Sequence, residues 1–109
     1  MTLEPNSPEA MLLLMLSAMH MDGKVVFKEL QYYGDVARDL DIDEETFALL
    51  VARSETEPAL CNRKAIDAIT DTAVRRSIFT VMSTIALVDG ELHTYEHTLL
   101  DRLRNHWKL

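Results

Sequence analysis

The strongest pattern along the chain is an apolar run, residues 10–21, interrupted only by Ser17 and His20. A helix apolar nearly all round is buried on most of its sides. Ser7-Pro8-Glu9 sets its start: a hydroxyl N-cap, proline at the first helical position and an acid at the positive end of the helix dipole. The pattern predicts a helix over 8–21 at the centre of the core. Residues 1–7 are expected to form a loose tail, and Gly23 suits the left-handed residue that ends a helix.

A second helix is predicted over 27–40, where Leu30, Tyr33, Ala37 and Leu40 form one stripe at i, i+3, i+7 and i+10. Gly34 inside it should cost about 1 kcal/mol relative to alanine, for which a close helix–helix contact would compensate. Asp41-Ile42-Asp43-Glu44-Glu45 marks a turn and a new start, with Asp43 as the cap. The third helix, 44–53, should bury Phe47, Leu50 and Val51. Residues 54–58 are the most polar stretch and read as an exposed loop, followed by a short helix over 63–69. Thr70-Asp71-Thr72 opens a helix over 73–88 with Val74, Ile78, Met82 and Ile85 in its stripe. Thr94 caps a last helix that buries Leu99, Leu100, Leu103 and Trp107. Nowhere is period-two alternation sustained, so no sheet is predicted.

The polar punctuation between these helices repeats. Asp22-Gly23-Lys24-Val25-Val26-Phe27-Lys28-Glu29 returns as Asp89-Gly90-Glu91-Leu92-His93-Thr94-Tyr95-Glu96, and both read D-G-x-h-x-x-x-E with h aliphatic. Shifting the first copy by 67 positions also sets Met15 on Met82, Met19 on Ala86, Tyr32 on Leu99 and Val36 on Leu103. The repeated unit is helix–turn–helix. Two copies are too few for a solenoid but enough for two hairpins around one core. The predicted fold is all-α, a compact bundle of five to six helices from two pseudo-repeated hairpins, in one domain over residues 1–109.

Charge narrows the partners. The 109 residues carry a formal net charge of -7, with -8 in residues 1–57 and +1 in residues 58–109. Phosphate binding needs a basic footprint, so nucleic acid is an unsuitable partner, whereas a cation or a basic protein surface fits. The single cysteine, Cys61, allows no disulfide within the chain and fits a reducing compartment. The apolar run near the start is shorter than the roughly 18–20 residues a membrane span needs. It lacks the basic residues that precede the core of a secretion signal.

The duplicated acidic loop carries the candidate chemistry. D-G-x-h-x-x-x-E is the second half of a calcium-binding EF-hand loop. The first and third ligand positions of such a loop hold Ala18 and His20 in one copy and Ile85 and Leu87 in the other, which excludes a standard EF-hand. Two readings of Asp22, Glu29, Asp89 and Glu96 stand beside each other. In one they cap helices, Glu29 and Glu96 reaching back to the loop as in a capping box. In the other they supply anionic oxygen to Ca²⁺, Mg²⁺ or another divalent cation. His93 and His97, four apart beside Asp89 and Glu96, form a weaker alternative set for zinc, set against surface histidines. His20 reads as a satisfied core or boundary histidine. Cys61 beside Arg63 and Lys64 could have a lowered pKa, or be a semi-buried small residue. Trp107 reads as an anchor for the last helix. No nucleophile motif, phosphate loop or CxxC is present, so the chain does not read as an enzyme.

The phrases Met15-Leu16-Ser17-Ala18-Met19-His20-Met21-Asp22-Gly23-Lys24-Val25 and Ile85-Ala86-Leu87-Val88-Asp89-Gly90-Glu91-Leu92, each with a Glu seven after its Asp, resemble the TerB-like domain. That family comprises bacterial tellurite-resistance proteins, and its domain also stands at the N-terminus of some membrane-anchored J-domain co-chaperones. The resemblance covers residues 9–107. It implies an all-α fold of two repeated hairpins, a cytoplasmic bacterial protein with a role in tellurite or chemical stress, and an acidic metal-binding surface. The matching acids here are Asp22, Glu29, Asp89 and Glu96. The alternative is an acidic interaction or scaffold module without metal, docking a protein partner or a second copy.

Overall fold

The computed structural model describes residues 3–21, 27–78, 80, 101 and 103–107, with the backbone alone at 27–29. Four helices follow one another: α1 (Pro8–Met21), α2 (Phe27–Asp39), α3 (Glu44–Thr56) and α4 (Pro58–Ala68). Residues 72–78 and 103–107 are helical as well, and the described residues contain no strand. The fold is all-α, as the periodicity predicts. The turn of the second hairpin lies outside the described residues, but Val36 and Leu103, paired by the 67-residue shift, both meet the core.

α1 is the central element. Its residues 12–19 are all buried, and α2, α3 and α4 each pack against it. The N-terminus forms as expected: the Ser7 Oγ accepts from Ala10 N at 3.2 Å, with Pro8 and Glu9 in the first turn. Burying a leucine side chain stabilises by about 1.5–3 kcal/mol, so Leu12, Leu13, Leu14 and Leu16 make this helix the main apolar contribution among the described residues.

The segment before α1 departs from the loose-tail expectation at Asn6. Its side-chain Oδ1 accepts from Thr70 N and Asp71 N, both at 2.8 Å, and its Nδ2 donates to Thr70 Oγ1 at 2.9 Å. Its backbone N–H donates to Ala68 O at 2.8 Å. Asn6 sits at φ 58°, in the left-handed region, which asparagine tolerates better than most residues. The residue thus ties the chain's start to the corner after α4. Asp71 in turn caps the helical residues 72–78 by accepting from Ala73 N at 2.7 Å.

α2 buries Tyr33 and Ala37, and Leu30 and Leu40 of the same stripe lie half-buried against the core. It ends in a Schellman turn. Ile42 N donates to Ala37 O at 2.8 Å and Asp41 N to Arg38 O at 3.1 Å, with Asp41 at φ 60° and Ile42 buried. Asp43 caps α3, its carboxylate accepting from Thr46 N at 2.6 Å. Gly34 has the predicted close neighbour, yet a Cβ built there would lie 3.6 Å from Phe47 Cε1, an ordinary contact.

The expected loop over 54–58 is helix instead. α3 continues to Thr56 and α4 begins at Pro58, with Glu57 alone forming the corner. Ser54 Oγ donates to Val51 O at 2.8 Å and Thr56 Oγ1 to Ala52 O at 2.9 Å, so these hydroxyls bond back to their own helix rather than breaking it. Pro58 occupies a first-turn position, where its missing N–H costs nothing. Ser54 is buried, and α4 starts five residues before the predicted helix over 63–69.

Three further contacts close the described core. Asn62 and Ser17, both buried, form a polar clamp between α4 and α1. Asn62 Nδ2 donates to Ser17 Oγ at 3.1 Å and to Leu14 O at 3.3 Å, while Ser17 Oγ donates to Leu14 O at 3.0 Å. At the other end of α4, Arg75 donates to Ile69 O through Nε and a terminal nitrogen at 3.3 and 3.2 Å. The Arg75 guanidinium also stands 4.9 Å from the centroid of the Trp107 ring, a cation–π contact. Trp107 is buried, in keeping with an anchoring role.

Candidate functional site

The first acidic stretch begins where α1 ends. α1 ends at Met21, so Asp22 follows it directly, and α2 starts at Phe27, so Glu29 falls in its first turn. The five residues 22–26 connect the two helices, and the Ser17–Asn62 clamp holds α1 to α4 one turn before the loop begins. Asp22, Asp89, Glu96, His93 and His97 lie outside the described residues, as does the side chain of Glu29. Among the described residues no group of three or more His, Cys, Asp or Glu side chains is placed to hold a metal ion.

The approach to the first loop is described. His20 occupies the last turn of α1 and is half-buried, and its Nε2 is shielded from solvent with no hydrogen-bond partner among the described residues. The partner expected of a satisfied boundary histidine is not found among them at that atom. Met21 is 42% exposed and borders a groove that runs along α4 past Ala59, Arg63 and Ile66 to His106.

A second acidic feature lies at the α2–α3 corner. Asp35, Asp39, Asp41, Asp43, Glu44 and Glu45 are all exposed. Asp35 pairs with Arg38 at 2.7 Å across one helical turn. The hydrogen bonds from Thr46 hold the Asp43 carboxyl below its usual range, with only a small opposing effect of desolvation.

Cys61 is buried, and its Sγ lies 3.4 Å from Arg53 O as a weak donor. Desolvation pushes its thiol pKa up, Glu57 adds to the rise, and Lys64 and Arg53 oppose it weakly. The lowered value suggested by neighbouring basic residues is thus corrected: the chain neighbours Arg63 and Lys64 are both exposed, and burial wins. Ser17 and Asn62 were not legible as a pair. The only signal is a single polar residue within each apolar stripe.

No curated protein and no solved structure matches the chain. A family model does, described as tellurite resistance protein TerB, over residues 8–109. The match includes both acidic loops and both helices that flank the first of them. With nearly its whole length covered by that model, the chain belongs to the TerB family.

Proposed function

We propose that the chain is a non-enzymatic, cytoplasmic divalent-cation-binding protein of the tellurite or chemical stress response, acting through its two D-G-x-h-x-x-x-E loops. The observation that supports this reading is the position of the first acidic stretch between two helices, α1 ending at Met21 and α2 starting at Phe27. In sequence Asp22 directly follows α1, and Glu29 falls in the first turn of α2, so the two acids flank one short connection. The second copy repeats the same residue types at Asp89 and Glu96. Carboxylates suit hard cations such as Ca²⁺ and Mg²⁺, which take oxygen ligands. His93 and His97 would favour zinc over these only if they joined the second loop's donors. The family description supports the stress setting.

Isothermal titration with Ca²⁺, Mg²⁺, Mn²⁺ and Zn²⁺ tests the reading. Saturable binding that Glu29→Gln and Glu96→Gln weaken supports it. Absence of heat with all four ions sinks it.

A second reading rests on a different observation. The exposed carboxylates at the α2–α3 corner outnumber the bases beside them, and such a surface suits a basic protein partner without any metal.

A further inference from the structure

The α2–α3 face carries a groove whose floor and rim differ in chemistry. Its floor is Leu30, Gly34 and Phe47; its rim is Gln31, Asp35 and Arg38; and its volume is about 530 Å³. Leu30 and Phe47 are only half-buried, each packed on one side against the core. Gly34 makes the groove. Its missing side chain leaves the Phe47 ring as the nearest group, and a Cβ there would still stand 3.6 Å from it. A glycine in a helix interior is costly, and here Gly34 is half-buried and lines the groove.

The charge around the groove selects the occupant. On α2, Asp35 and Asp39 are exposed, and so are the α3 cap Asp43 and, on α3, Glu44 and Glu45. Residues 27–57 hold nine acids against three bases, and one of those bases, Arg38, is already paired with Asp35. A second copy of this chain would bring the same negative charge, -7 per chain, against it. We infer that the α2–α3 groove docks a basic amphipathic helix of a partner protein. Apolar side chains of that helix would seat over Gly34 between Leu30 and Phe47, and its Lys or Arg residues would meet the surrounding carboxylates. This deepens the metal-free interaction reading and does not depend on cation binding.

The probe is a helical Leu–Lys peptide titrated into the ¹⁵N-labelled full chain, with a Leu–Glu peptide of the same length as control. The Leu–Lys peptide should bind and shift the amide signals of Leu30, Gly34, Asp35, Arg38 and Phe47, and the Leu–Glu peptide should not bind. Gly34→Leu fills the floor and should weaken binding about tenfold or more, as expected when a central anchor loses its seat. Asp35→Lys, at an exposed position that leaves the fold intact, should weaken it several-fold. Tight binding with shifts confined to other acidic surfaces would overturn the groove while leaving an acidic interaction module standing. Binding of neither peptide would overturn both. Equal binding of the two peptides, or a dimer at low micromolar concentration that Gly34→Leu dissolves, would overturn the choice of a basic partner.

Discussion

The polar clamp between Ser17 and Asn62 can be tested by a double-mutant cycle. Both residues are buried, at 0% and 2% exposure, and Asn62 Nδ2 bonds Ser17 Oγ at 3.1 Å and Leu14 O at 3.3 Å. A neutral buried hydrogen bond contributes about 1 kcal/mol net, and one near 3.3 Å contributes less. Asn62→Ala removes both bonds and leaves a void where the amide stood, for a loss of about 2–3 kcal/mol. Ser17→Ala removes only the nearer acceptor, since Leu14 O is still in reach, for a loss of about 1 kcal/mol. In the double variant the shared bond cannot be lost twice, so its destabilisation should fall short of the sum by about 0.5–1 kcal/mol. Urea unfolding of the four proteins, followed by circular dichroism, supplies the numbers. Additivity within about 0.3 kcal/mol would refute the clamp, because independent sites add to that precision. The consequence reaches the site, since this contact fixes the part of α1 from which the first acidic loop departs.

Three other perturbations follow from single contacts. Gly34→Ala should raise stability by up to about 1 kcal/mol in thermal unfolding, because the new methyl meets Phe47 at an ordinary 3.6 Å, and a loss would show the helices closer than described. Asn6→Ala should cost about 1–3 kcal/mol by chemical denaturation, whereas a tail without contacts would give no change. Asn6→Gly should recover only the part due to the left-handed backbone. The Asp43 carboxyl is held below its ordinary value of 3.8, so its contribution is fully present above that pH and fades as pH falls through the folded value. Asp43→Asn should flatten that part of the acid limb of a stability–pH profile, and an unchanged profile would count against the cap.

Local chemistry was legible where cause and effect are neighbours in sequence. The Ser7 cap, the proline after it, the burial of residues 12–19 and the Asp43 cap each depend on residues within one turn. The stretch over 54–58 was misread because Ser and Thr are equally at home in loops and in a last helical turn, where their hydroxyls bond back. Asn6 was misread for another reason: its partners lie 64 and 65 positions away, and no local pattern reports them. The Ser17–Asn62 contact spans 45 positions and is hidden in the same way. The acidic loops are the reverse case. Their repeat is plain in the sequence, while among the described residues only the Glu29 backbone and the helix ends around the first loop are placed.

The repeated acids either bind a cation or only cap helices. Thermal unfolding of the wild-type chain and of the Glu29→Gln/Glu96→Gln double variant, each in EDTA and in millimolar Ca²⁺ or Mg²⁺, decides this most directly. A ligand confined to the folded state at tenfold excess over its Kd stabilises by about 1.4 kcal/mol. For a domain of this size that raises the melting temperature by roughly 5 °C. The prediction is a cation-dependent rise in the wild type that the double variant loses while its melting temperature in EDTA stays near the wild-type value, since a glutamine can still accept a capping hydrogen bond. A wild-type melting curve identical in EDTA and in every divalent cation would contradict the account and leave the four acids as caps.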